Sequence, residues 1–286
     1  MARKEDAIFS LIVVGLFVIS AFAVGLTAAP VVRNSTATAP AIFHPFTVTG
    51  QVNEASLNWA GYAVTGPNHS VTSVTASFIV PNITGSKSNT YVAVWAGIDG
   101  FSDGTVEQAG ILAESLHGST VYLAWTEFYP AAPTYASWSP SPGNVMTVTV
   151  SSGGYGKSIT ATVVDRTSTH TYSNTVTSTS SYMLSSAEWI VERPAIARSL
   201  TSLANFGTAY FGCKYTGGQP DTATLSGTTG SIGSFVVKSS TATVVSLAMV
   251  TYSAIGGKIK LLASPSSLTG SEDGSFSVAY IPAHGH

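Results

Sequence analysis

Charge is scarce in this sequence. Asp, Glu, Lys and Arg make up 9% of its 286 residues, against about 25% in ordinary soluble proteins. Lys plus Arg is 12 and Asp plus Glu is 14, a net charge of −2. No positive stripe is available to neutralise phosphates, so a basic nucleic-acid binder is excluded. Cysteine is nearly absent. Cys213 stands alone, which removes any intramolecular disulfide and any CxxC-type zinc site. In Phe211-Gly-Cys-Lys214 it has no neighbouring His and reads as a small buried apolar residue. The histidines, His44, His69, His117, His170, His284 and His286, stand singly apart from the tail pair. The sequence has no HExxH, no GxSxG elbow, and no Walker or GxGxxG loop. No window of a dozen residues keeps a helical stripe with start and stop signals. Neither a metal nor a cofactor is expected.

What is present is apolar. Hydrophobic residues are 44% of the chain and aromatics 10%, which argues against disorder. Met1-Ala-Arg-Lys4 precedes a charge-free apolar stretch from Ala7 to Ala29. This is the order of an export signal, and its length is also near the ~20 residues that span a bilayer. Residues 1–29 are therefore expected to be a signal peptide or a membrane anchor, with a possible tether through 7–29. The remainder is expected outside the cytoplasm, secreted or anchored. Residues 30–56 begin rich in Thr, Ala and Pro and read as a linker or short pro-segment. Residues 57–286 form the expected single domain, and nothing in them demands more than a monomer.

From Leu57 on, short runs rich in Val, Thr, Ile, Tyr and Phe alternate with Gly, Pro, Ser and Asn clusters. Expected strands include Val71–Val80, Tyr91–Ile98, Thr120–Tyr129, Val145–Val150, Ser158–Asp165, Ala187–Glu192, Thr208–Phe211, Phe235–Val237, Lys258–Leu262 and Ser275–Ile281. Several alternate with period two, as in Met146-Thr-Val-Thr-Val150. Many short strands at this spacing predict an all-β domain, a sandwich or a barrel.

A carboxylate inside an apolar strand is costly unless it has a partner or a cleft to face. In Ala187-Glu-Trp-Ile-Val-Glu192, alternation puts Glu188, Ile190 and Glu192 on one face. The residues suit a reactive cleft or an edge strand whose charged face meets water. In Leu123-Ala-Trp-Thr-Glu-Phe-Tyr-Pro130, Trp125, Glu127 and Tyr129 share a face that suits a peptide, a sugar or plain solvent. Val94-Trp-Ala-Gly-Ile-Asp-Gly100 ends in a turn. Thr105-Val-Glu-Gln-Ala-Gly110 sends Glu107 and Gln108 to opposite faces. A Gln amide can donate to a developing oxyanion, or simply serve the structure. Asp165, Asp221, Glu272 and Asp273 lie in turn-like sequence and carry no expected role, and Glu114→Gln is expected to be nearly silent.

Taken in order, these segments resemble the glutamic peptidases known as eqolisins. The match runs through Asn58-Trp-Ala-Gly-Tyr62, Ala76-Ser-Phe-Ile-Val-Pro81, Trp95-Ala-Gly-Ile-Asp-Gly100 and Glu107-Gln-Ala-Gly110. It continues through Trp125-Thr-Glu-Phe-Tyr-Pro130, Ala187-Glu-Trp-Ile-Val-Glu192, Ala204-Asn-Phe-Gly207, Ala263-Ser-Pro-Ser266 and Ser275-Phe-Ser-Val278. The resemblance implies an antiparallel β-sandwich of two curved sheets, of the concanavalin A or lectin-like kind. It implies an acid endopeptidase on polypeptide substrates, with Gln108 and Glu188 as catalytic pair. Trp59, Trp95, Asp99, Glu127 and Tyr129 match residues that line or support the cleft, and Glu192 sits at a familiar acidic position. Asn205 stands where the family pattern has Asp. The alternatives are a lectin-like binding module and a retaining glycosidase, which needs two carboxyls ~5 Å apart.

Overall fold

A computed structural model describes residues 51–177, 182–196, 199–218, 221–238, 242–252, 259–270 and 273–282, and the backbone of 17 and 18. Apart from residues 17 and 18, the export segment at 1–29 and most of the linker at 30–56 lie outside the described residues. The end of that linker, Gln51–Ser56, is a strand, β1.

The main strands follow in chain order. The first half of the chain holds β2 Trp59–Thr65, β3 Val71–Ile79, β4 Thr90–Ile98, β5 Val106–Leu116 and β6 Ser119–Tyr129. The middle holds β7 Val145–Ser152, β8 Ser158–Asp165, β9 His170–Thr177 and β10 Ser186–Glu192. The last third holds β11 Thr208–Phe211, β12 Thr222–Leu225, β13 Thr228–Ser231, β14 Thr243–Tyr252, β15 Ile259–Pro265 and β16 Phe276–Tyr280. Two short helices, α1 Cys213–Thr216 and α2 Ile232–Lys238, interrupt them.

The first sheet runs β1–β14–β2–β10–β4–β5–β6. All its pairs are antiparallel except β1 with β14. The second runs β9–β8–β7–β3–β12–β13, antiparallel throughout. The sheets are joined along one side, because β14 also pairs β15, β15 pairs β16, β16 pairs β11, and β11 touches β3 at Phe211 and Phe78. The architecture is the expected all-β antiparallel sandwich.

The main core lies between the sheets. Tyr62, Val92, Ile111 and Trp189 from the first sheet meet Phe78, Val148 and Ala161 from the second, with Phe211 and Phe276 from the joining strands. Trp189 also crosses the gap with a hydrogen bond, its indole N–H donating to the Thr75 carbonyl at 2.9 Å. β8 illustrates the sequence logic. Ile159, Ala161 and Val163 are buried while Thr160, Thr162 and Val164 are partly exposed, the period two of a half-covered strand.

The outer face of the second sheet is an array of hydroxyls. Cross-strand register makes one row of Thr175, Thr160, Ser151, Ser73, Thr224 and Thr229, and another of Ser173, Thr162, Thr149, Thr75, Thr222 and Ser231. Neighbouring strands are tied sideways by Thr160–Thr175 at 2.9 Å, Thr162–Ser173 at 2.9 Å, Thr75–Thr149 at 3.2 Å and Thr224–Thr229 at 2.8 Å.

Two local expectations are corrected. Phe235–Val237 lies in α2, not in a strand. The Ser231 hydroxyl accepts from the Ser234 amide at 3.1 Å, a capping bond that starts a helix where composition favoured a strand. Cys213 is half-buried rather than apolar in its setting, and its thiol donates to Asp273 at 2.9 Å.

Candidate active site

The first sheet packs on both faces. Opposite the inter-sheet core, a second apolar cluster gathers Trp59, Tyr91, Trp95, Leu112, Trp125 and Ile190, with Phe101, Tyr129, Tyr135 and Ile196 half-buried against it. The expected site residues stand among these aromatics.

Strand register places them in rows. In one row Ala63 on β2, Glu188 on β10, Gly97 on β4, Gln108 on β5 and Glu127 on β6 are successive cross-strand partners. Directly opposed residues project to the same side, so Glu188 and Gln108 face each other across one strand, two spacings of about 4.8 Å. Gly97 lies between them and offers no side chain. A Cβ there would stand 3.0 Å from the Gln108 Cβ, the Glu107 carbonyl and the Trp95 ring. The Trp95 ring and Gln108 therefore close over the glycine, which puts no side chain of its own between the carboxyl and the carboxamide.

The next row holds Ile190, Trp95, Gly110 and Trp125. A Cβ at Gly110 would lie 2.3 Å from the Val94 carbonyl and 2.5 Å from the Trp95 Cβ, so only glycine lets Trp95 sit there. Beyond it, Trp59 and Glu192 are opposed across β2 and β10. Trp59 meets Trp95 edge-on, with ring centroids 5.0 Å apart.

Each carboxyl has a distinct setting. Asp99 adopts φ 67 at the end of β4, a left-handed conformation that Asp tolerates better than most residues. It accepts from the Leu184 amide at 2.7 Å and the Ser185 amide at 2.8 Å, pinning the entry to β10. Burial and then the charge of Asp103 raise its pKa to about 6 against the pull of those amides. Glu127 accepts from the Gln108 side-chain amide at 2.6 Å, which fixes the orientation of the carboxamide. Burial, followed by the nearby Glu192, pushes Glu127 well above the usual glutamate range. Glu192 accepts from the Trp95 indole at 2.8 Å and the Asn58 amide at 3.1 Å, and burial takes it to about 8.

Glu188 differs from these. It is 0% exposed, and neither oxygen has a hydrogen-bond partner. Burial is the main cause of a pKa well above the usual range. The Ser186 hydroxyl opposes the rise, short of a hydrogen bond of ordinary geometry, and Asp99, Asp103 and Glu107 add like charge. A buried carboxyl without a partner is unfavourable for folding, and such groups concentrate at functional sites.

The register settles several alternatives left open by pattern. β10 is an interior strand, paired to β2 and β4, so Glu188 and Glu192 do not face water as an edge would. Glu188 and Glu192 stand four residues apart on one extended strand, about 13 Å at ~3.3 Å per residue, against the ~5 Å pair that a retaining glycosidase requires. Tyr129 is half-buried at the rim, opposite Val106. Glu114 is 6% exposed, with its pKa raised by burial, so silence on substitution no longer follows. Asp165 and Asp221 are fully buried. Asp165 caps the Thr167 and Ser168 amides and Asp221 the Ser77 amide. Asn205 is exposed and accepts from the Gly207 amide at 3.1 Å, a turn contact. Sequence reasoning passed over Asn58 and Gly97. Asn58 was inside a quoted motif, but its partner is 134 residues away.

A family model, the Peptidase A4 family, matches residues 57–253. The chain belongs to that family. Aspergillopepsin-2 of Aspergillus niger is 32% identical over a match covering 57% of this chain and 66% of the relative. The A4 domain also resembles solved structures. Scytalido-glutamic peptidase with a peptide-based transition-state analogue superposes with a TM-score of 0.58 at 21% identity, covering 78% of this chain and 98% of that one. Aspergilloglutamic peptidase from Aspergillus niger gives 0.50 at 25% identity, covering 67% and 99%. The A4 domain thus carries the glutamic-peptidase fold, with the Glu188–Gly97–Gln108 row on the outer face of its first sheet.

Proposed function

We propose that this peptidase hydrolyses peptide bonds of polypeptides in acid, with Glu188 as general base and Gln108 as oxyanion donor. The observation that carries the assignment is their shared row, in which Glu188 and Gln108 flank Gly97 and no side chain stands between them. Glu188 takes a proton from the water, and the resulting hydroxide bonds to the carbonyl carbon. The Gln108 amide carries two N–H donors. Glu127 orients this amide, which is assigned to donate to the oxyanion, where such a donor is worth ~3 kcal/mol. Glu188 then passes its proton to the leaving nitrogen as the C–N bond breaks. Entry of water and substrate solvates Glu188 and eases its ionisation, while its raised proton affinity makes it a strong base once ionised.

Asp99 holds the start of the strand bearing Glu188. Glu192 holds Trp95 and Asn58. Trp59, Trp95 and Tyr129 shape the cleft. Export through residues 1–29, retained as an anchor or removed, and a monomeric state complete the proposal.

The test is acid digestion of an unfolded protein by the purified domain. Glu188→Gln should lower turnover by ~10²–10⁴ and Gln108→Ala by about 10²–10³, with the fold kept by circular dichroism. Unchanged rates in both variants would reject the assignment.

A further inference from the structure

Glu107 is a buried carboxyl beside the dyad that this chemistry does not use. It precedes Gln108 on β5 and points the other way, into the space between the sheets, opposite Ile98 and Phe128. It is 0% exposed. Neither of its oxygens has a hydrogen-bond partner, as with Glu188. Most other buried carboxyls are anchored: Asp99 by two amides, Glu127 by Gln108, Glu192 by Asn58 and Trp95, and Asp221 by the Ser77 amide, while Glu114 keeps one buried oxygen without a partner.

The titratable groups near Glu107 are Asp99 and Asp103 from the loop after β4 and Tyr182 from the segment before β10, with the like charge of Glu188 acting from the opposite face of the sheet. None is a cation. A neutral carboxyl can remain in such a place at modest cost. A charged one cannot, because an unpaired ion in an apolar interior costs several kcal/mol. It must draw in water or move, and the strand it would move carries Gln108 as the next residue.

We infer that Glu107 is a positioning residue that serves only as the neutral acid. Protonated, it lets the sandwich close behind Gln108; ionised, it wedges the sheets apart beneath β5, displaces Gln108 from its row, and sets the upper pH limit of the folded site. Burial and the charges of Asp99 and Asp103 keep its proton bound well above the ordinary glutamate range. The effect on activity rests on the Gln108/Glu188 reading; the effect on folding does not.

The test compares the intact domain with Glu107→Gln and Glu107→Leu, following Tm and kcat/KM from pH 3 to pH 8. Both replacements remove the ionisation, and Leu also tests whether an apolar group fits. In at least one, Tm should fall less steeply with rising pH than in the wild type, with similar values near pH 3. Its alkaline loss of kcat should move upward by about one pH unit, while KM stays within about twofold. Parallel Tm curves for the wild type and both variants would overturn the inference, even if Glu188→Gln abolishes turnover. A stabilisation of equal size at pH 3 and pH 8 would also overturn it. A flattened Tm curve with no dyad effect on activity would uphold Glu107 as a pH limit on the fold while rejecting the catalytic assignment.

Discussion

At the residue scale, the most informative side chain after the dyad is Asp99. A turn Asp in Gly-Ile-Asp-Gly is unremarkable in sequence, yet its two oxygens hold the Leu184 and Ser185 amides four and three residues before Glu188. Asp99→Ala leaves both amides unpaired, at about 1–3 kcal/mol for each buried donor, and frees the start of β10. A marked drop in Tm together with lost turnover is expected. Asp99→Asn keeps one acceptor oxygen and should lose less of both. Equal Tm for the wild type and Asp99→Ala would reject the brace. Cys213 supplies a separate check. Its thiol donates to Asp273, and that carboxylate raises the thiol pKa, so alkylation at neutral pH should be slower than for a free thiol. Asp273→Asn should quicken it. Reducing agent should leave Tm unchanged, since no second cysteine exists.

At the element scale, the faces of individual strands were legible and their neighbours were not. Alternation alone put Glu188 with Glu192, and Trp125 with Glu127 and Tyr129, because side-chain direction along a strand is a local property. Bringing Gln108 between Gly97 and Glu127 is a matter of register among β4, β5 and β6, and joining Glu188 to that row requires β10 from 80 residues later in the chain. No local pattern encodes this; the ordered resemblance to a family supplied it. β9 is not among the named expected strands, and its sequence, HTYSNTVT, offers little apolar character. It is an edge strand held by hydroxyls. The glycines test the row directly. Gly110→Ala forces a Cβ against backbone 2.3 Å away and should destabilise the fold by about 1–3 kcal/mol or more. Gly97→Ala meets its neighbours at 3.0 Å, so its effect on urea stability should be smaller. It presses on Gln108 and the Trp95 ring in the proposed site, however, and kcat should suffer more than stability. If Gly97→Ala keeps full turnover, the row through Gly97 is not where the reaction occurs.

At the scale of the whole molecule, the buried carboxyls make the fold an acid-adapted object. Asp99, Glu107, Glu127, Glu188, Glu192 and Asp221 all have raised pKa values, burial being the first cause in each. A group that binds its proton more tightly folded than unfolded stabilises the fold while protonated. That contribution is complete below the unfolded value and fades as pH climbs towards the folded one. For Asp99 the window runs from the ordinary value near 3.8 to about 6, and for Glu192 from near 4.5 to about 8. Tm should therefore decline steadily between pH 4 and pH 8, opposite to the usual acid denaturation. A Tm that rises over this range would contradict the burial of these groups. The hydroxyl rows on the second sheet have the complementary property. Titration alters the charge of loops, edges and site, but those two rows have no isoelectric point to cross. Encounters between copies through that face should therefore depend less on pH than encounters through the titrating edges, whose charge reaches the face only within about a Debye length. Placing a single aspartate there, at Thr160, would give the face its first electrical memory of the medium.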